Sequence, residues 1–226
     1  MNHSTELRTS DEQRQDHKTR NVSRDLLLVC GIISSLLYVG SDIVASMLYE
    51  GYRYTDQAFS ELLAIGAPTR PLMIKLSVMY NLLVIAFTAG VWAAAGSKRS
   101  LRITAVLLFA FGVASFLGPF VPMHVRGSET TFTDVMHIIC TIVIVLSVLL
   151  AMGFGAAAFG KGFRLYSIAT ILAVVIFGAW AGFQGPRLAA GLPTPWFGVL
   201  ERVNIYSTML WILVLSVNLL KAEKEP

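Results

Sequence analysis

The run Asp134–Phe159, DVMHIICTIVIVLSVLLAMGFGAAAF, decides the fold class, because from Ile138 to Phe159 it contains no charged residue. At a rise of 1.5 Å per residue, about 20 apolar residues cross a hydrocarbon core of about 30 Å. The run has that length and lacks the polar alternation of a membrane strand. Each backbone amide must be satisfied inside lipid, so the segment reads as a transmembrane helix. Five further runs share its character. Together they predict spans at about 26–49, 72–95, 101–121, 134–159, 166–183 and 196–220. Breakers fall between them, among them Gly66-Ala67-Pro68, Gly118-Pro119 and Gly185-Pro186. The fold class is therefore all-α: a polytopic membrane bundle of six helices.

The composition agrees. Of 226 residues 55% are hydrophobic and 14% charged, against about 25% charged in soluble domains. Mean hydropathy is +0.64. These values exclude a cytosolic enzyme, a disordered scaffold, a disulfide-rich secreted domain and a nucleic-acid binder. The net charge of +4 reflects loop bias. With the N-terminus cytoplasmic, twelve Lys and Arg residues fall inside and six (Arg53, Arg70, Lys75, Arg126, Arg187, Arg202) outside. That excess places both termini in the cytoplasm of a cell-membrane protein. The tail 1–25 balances five basic against five acidic residues and reads as disordered; 221–226 forms a second short cytoplasmic tail. The first apolar run is too long for a signal-peptide core and no A-x-A-like site follows it, so it is an anchor. Cys30 and Cys140 differ in depth by roughly 15 Å, too far for a disulfide.

Small residues at four-residue spacing supply close helix packing: Gly31/Ser35, Ala86/Gly90/Ala94, Ala114/Gly118 and Gly178/Gly182. The last pair serves either packing within the bundle or a homo-oligomer face. Tyr49, Tyr52, Tyr54, Trp196 and Phe197 fall at the outer boundary as an aromatic belt.

Cytoplasmic connections are short (Gly96–Ser100, Gly160–Leu165), whereas the outer ones, Glu50–Pro71, Pro122–Thr133 and Gln184–Pro195, are long and chemically mixed. In the first, Asp56–Gly66 reads as a short interfacial helix capped by Thr55 or Asp56 and closed by Gly66. Its apolar stripe is Phe59, Leu62 and Leu63, with Gln57 and Glu61 on another face. In the second, Thr133 caps the fourth span and Asp134 complements its dipole. Asp134 and His137 share a helix face, and His124 can fold back on them. Those three make a conceivable zinc site, but their spacing fits no standard metal motif; a ligand-contacting or purely structural role is the other reading. Asp42, about 24 Å from the inner edge, must face the bundle and find a partner among Arg126, Arg187, Arg202 and His137. Glu201 and Arg202 are adjacent, so they should bond to different helices.

These residues resemble a known family. The run Gly51-Tyr52 to Ser60-Glu61-Leu62, followed by Gly66-Ala67-Pro68-Thr69-Arg70, is similar to the opening of the prokaryotic membrane family called domain of unknown function 998. Met123-His124, Arg126-Gly127, Asp134, His137 and Glu201-Arg202 also resemble its pattern, and the likeness spans Leu26 to Leu220. It implies a six-helix integral membrane protein and carries no reaction with it.

Three functions compete. In the first, Asp42, Glu61, Arg126, Asp134, His137, Arg187, Glu201 and Arg202 converge on an outward pocket for a small polar molecule or lipid headgroup, with no cofactor. In the second, His124, Asp134 and His137 serve a membrane-embedded hydrolase or transferase, with zinc or by acid–base chemistry. No GxSxG or phosphate-cradling loop accompanies them. In the third, the polar residues are clasps of an accessory subunit.

Overall fold

The computed structural model describes the backbone of residues 3–222 and the side chains of residue 19 and residues 21–222. Its long helices are α1 (His3–Leu48), α2 (Arg70–Ala94), α3 (Arg99–Leu117), α4 (Phe132–Ala156), α5 (Lys161–Phe183) and α7 (Phe197–Lys221). A short α6 (Gly185–Ala189) lies between the last two. Six of these helices are long and apolar enough to cross a membrane, from Asn21–Leu48 through Phe197–Lys221. The protein is thus an all-helical, multi-pass bundle.

Several details differ from the sequence-based expectations. The stretch expected to be disordered has helical backbone from His3, because neither glycine nor proline interrupts it before Gly31. The helix expected over Asp56–Gly66 is a single 3-10 turn, Phe59–Leu63, begun by Ala58. It does not lie at the interface with Glu61 on an open face: Glu61 and Leu62 are both buried. Gly66, at φ +94°, closes the segment as expected. Helix α4 starts at Phe132 with Thr131 rather than Thr133 as its cap, and Asp134 accepts the Thr131 N–H at 2.8 Å.

Packing runs α1 on α2, α2 on α3, α3 on α4, α4 on α5, α5 on α7, and α7 back on α1. The helices thus form a closed ring with the three long connections at one end. The half nearer the short connections is solid: Trp211, Phe87, Leu108, Met152, Ile212 and Leu215 are fully enclosed. Trp211 donates to Ser167 Oγ at 3.0 Å, and a Cβ on Gly155 would stand 2.9 Å from its ring. Close approach of α1 and α2 depends on Gly90, where a Cβ would stand 2.9 Å from the Leu28 backbone nitrogen. The outward faces carry the exposed apolar side chains that lipid solvates, such as Leu36, Leu82, Phe109 and Leu172.

Backbone cannot yield to an added methyl as a side chain can. Gly90→Ala is therefore expected to destabilise the bundle by about 1–3 kcal/mol. Gly153→Ala, whose Cβ meets nothing within 4 Å, should not lower stability. Thermal unfolding in detergent checks the pair.

Candidate functional site

Two arginine–carboxylate clasps organise the long-loop end. Asp42, completely buried in α1, pairs with Arg202 of α7 through two parallel bonds, Nε–Oδ2 at 2.8 Å and Nη2–Oδ1 at 2.9 Å. The Tyr206 hydroxyl donates to Asp42 Oδ2 at 2.6 Å and Ser46 Oγ to Oδ1 at 3.2 Å. Arg202 Nη1 donates to the Tyr54, Gln57 and Gly198 carbonyls at 2.8, 3.0 and 3.2 Å, and Nη2 also reaches Tyr52 Oη at 2.8 Å. The Tyr54 ring lies 3.7 Å from the guanidinium. Gly198 must lack a side chain, because a Cβ there would collide with the Tyr54 and Gln57 carbonyls. Burial raises the Tyr52 phenol above its ordinary pKa, so it stays protonated and donates to the Ala58 carbonyl at 2.7 Å.

The second clasp lies over the first. Arg126 holds Glu61 by Nε–Oε2 at 2.8 Å and Nη2–Oε1 at 2.7 Å, and also donates to Thr194 Oγ1 at 2.6 Å and the Asp56 carbonyl at 2.7 Å. Glu61 Oε1 accepts the Ala58 N–H at 2.8 Å, which is why the 3-10 turn begins there. Asp56 Oδ1 accepts the Trp196 N–H at 3.2 Å, and Trp196 adopts the left-handed region at φ 65°. A bulky residue takes that conformation only where its surroundings impose it. All three long connections are thereby tied together.

The remaining candidates separate. Asp134 accepts the His124 N–H at 2.8 Å and sits 3.0 Å from His124 Nδ1. His137 turns away, with Nδ1 3.0 Å from the Val121 carbonyl, and so carries its proton on that nitrogen. Among the described residues no three His, Cys, Asp or Glu side chains group to hold a metal ion, and the zinc set His124, Asp134 and His137 is not assembled. Arg187 in α6 donates to the Pro193 carbonyl at 3.0 Å and meets no acid. Glu201 Oε2 accepts the Phe59 N–H at 2.5 Å, so Glu201 and Arg202, expected to bond to different helices, both reach the first connection, and Arg202 alone also binds α1.

Inside the ring at this end lies a cavity of about 830 Å³. Arg126, Asp134, His137 and Glu201 line it; Asp42, Glu61, Arg187 and Arg202 do not. Much of the wall is apolar, including Phe59, Met73, Phe111, Val148, Val174 and Met209. Three of its buried polar atoms have no hydrogen-bond partner: Tyr80 Oη, Asn81 Oδ1 and Asn204 Oδ1. Tyr80 and Asn81 escaped the reading of charges and histidines. Their signal was a tyrosine–asparagine pair within the apolar run of the second span, which marks a helix facing inward. Gly178 and Gly182 also line the cavity.

A family model described as a protein of unknown function, DUF998, matches residues 32–218. The chain belongs to this family. Both clasps, the cavity and its unpartnered polar atoms fall within the matched region, and the family description assigns them no activity. The comparisons with curated proteins and with solved structures gave no match.

Removing one member of a fully buried pair leaves the other charged and unpaired, at a loss of about 3–5 kcal/mol. Arg202→Met is expected to lose that much. Arg126→Met should lose less, because its side chain is 17% exposed against 3% for Arg202. Asp42→Leu combined with Arg202→Met should recover part of the single-variant loss. Denaturant unfolding in detergent measures all three.

Proposed function

We propose that this protein binds an amphiphilic molecule, an apolar body with an uncharged or cationic head that donates hydrogen bonds, in the cavity at its long-loop end. The single observation that carries this reading is the set of buried, unpartnered polar atoms on residues of an apolar wall: the acceptors Asn81 Oδ1 and Asn204 Oδ1, and the Tyr80 hydroxyl, which can donate or accept. A buried polar group without a partner costs about 1–3 kcal/mol, and a bound donor relieves that cost. Glu201 adds a carboxylate on the same wall, which favours a donor and opposes an anion. The arginine clasps do not face this ligand. They hold the loops that frame it, which supports recognition by shape and hydrogen bonds over capture of a charged polar solute.

The protein's place is the cell membrane, with the long-loop end outside, as the Lys and Arg distribution favours. In a background where Cys30 and Cys140 are alanine, Lys98→Cys and Glu129→Cys, both at exposed positions, test this. An impermeant thiol reagent on intact cells should modify the second and not the first; the reverse pattern would invert the topology.

Binding is tested with radiolabelled dodecylamine, dodecanol and laurate on protein in lipid nanodiscs, with empty nanodiscs subtracted. Saturable binding is expected for the amine and the alcohol, and at least tenfold weaker binding for laurate. Asn204→Leu should weaken amine binding about fivefold, the effect of one hydrogen bond of about 1 kcal/mol. Equal uptake of all three by empty and loaded nanodiscs would sink the reading.

A further inference from the structure

The cavity is unevenly lined. Polar groups stand on α2 (Ser77, Tyr80, Asn81) and α7 (Glu201, Asn204, Thr208), and on α4 at Asp134, His137 and Thr141. The α7 group recurs at the spacing of a single helix face. On α4 and α5 the apolar lining is Ile138, Ile144, Val145, Val174 and Ala181. In the ring α5 packs on α7, with Gly178 against Asn204, so the α4–α5 seam faces the α2 groups across the cavity and adjoins the α7 groups.

That seam is open over its upper half. In α4 no residue from 132 to 146 is buried, whereas Ser147, Val148, Ala151, Met152, Gly155 and Ala156 are. A helix packed on both flanks buries a continuous stripe along its length. Its partner shows the same gap: Gly178, Ala181 and Gly182 line the cavity, and a Cβ on Gly182 would meet nothing within 4 Å. Two helices that seal against each other through small residues leave no such space. Ile138, Thr141 and Val145 line the cavity and are exposed as well, so the opening is apolar where it meets the bilayer. An apolar slit in a membrane-spanning helix ring is filled by hydrocarbon, since water there has too few polar partners.

We infer that the α4–α5 seam is a lateral portal through which a single-chain lipid enters from the bilayer, its head docking on the α2–α7 polar wall and its chain trailing out past Gly182 and Thr141. This rests on the amphiphile reading above and adds to it the route and the class of ligand. The open upper half of the seam carries it: apolar Ile138 and Val145 line the slit for a chain, the α2 partners of the head lie opposite it, and Asn204 stands beside it at Gly178. Entry from the loop end would take the head between connections that Arg126 and Asp134 tie together, through Glu61, Thr194 and His124.

The test uses full-length protein in phosphatidylcholine nanodiscs with a trace of hexadecylamine carrying a diazirine on its chain. After photolysis, adducts are mapped by peptide mass spectrometry. Adducts are expected within residues 138–148 and 174–182 and are suppressed by excess dodecylamine. Gly182→Phe and Thr141→Phe, which fill the slit from opposite sides, should each cut this labelling at least fivefold. Val175→Phe, at an exposed position of α5 outside the cavity lining, should leave it unchanged, and melting curves for all three confirm folding. If both slit variants label like wild type while Asn204→Leu loses label, the cavity binds but fills from its loop end, and the portal is wrong. If adducts spread evenly over every lipid-facing helix and resist competition, the portal and the amphiphile reading fall together.

Discussion

The paired charges of Asp42 and Arg202 fix everything at the long-loop end. They lie on the first and last spans, so their two parallel bonds close the helix ring where α7 meets α1. Neither charge is tolerable in hydrocarbon alone. With the pair formed, the guanidinium has spare N–H groups that must also be satisfied, and the nearest acceptors are the carbonyls of Tyr54 and Gln57. The first connection is thereby drawn down onto α7. Its 3-10 turn then presents the Phe59 N–H to Glu201 and the Glu61 carboxylate to Arg126. One obligatory ion pair thus propagates into the placement of three connections, through hydrogen-bonding demands and not through apolar burial, which supplies little drive in lipid.

The division of the bundle into a solid half and a hollow half follows from the same economy of forces. Near the short connections, Gly90, Gly31 and Gly155 let helices approach until ring systems fill the remaining space. Near the long connections, α4 and α5 are held by no clasp comparable to that between α1 and α7. Asp134 caps α4 and binds His124, which fixes the helix start to the preceding loop and not to α5. Among the described residues, no ion pair draws α4 and α5 together along this seam.

The spans were legible because length and uniform apolarity are one-dimensional properties. Asp42 was legible as a residue needing a partner, and Arg202 was among the partners open to it, because both had to lie at similar depth. The lost detail has physical causes. Glu61 looks like a surface residue in any local reading, and only a partner sixty-five positions away, Arg126, makes its burial tolerable. For the same reason the segment 56–66 became a 3-10 turn: side-chain bonds from Arg126, Gln57 and Thr69 replace the ladder that an isolated helix would need. The candidate charges were expected to share one pocket, but strong charges in a membrane satisfy one another first. The uncharged Tyr80 and Asn81, whose unmet hydrogen bonds cost far less than an unpaired charge, remain to line the cavity.

That ordering bears on what such a cavity can recognise. The arginines and carboxylates of the two clasps have no charge left to offer, so a solute that engaged them would have to break a clasp at a loss of several kcal/mol. Neutral acceptors on an apolar wall impose no such loss: each forgoes about 1 kcal/mol until a donor arrives. The apolar remainder of the cavity contributes about 25 cal/mol per Å² only for a ligand coming from water. For a ligand already dissolved in the bilayer that contribution largely vanishes, and the few hydrogen bonds at the head become the main source of preference. On the amphiphile reading proposed above, selectivity would reside in Tyr80, Asn81, Asn204 and Glu201, and the apolar wall would set only the width of the ligand.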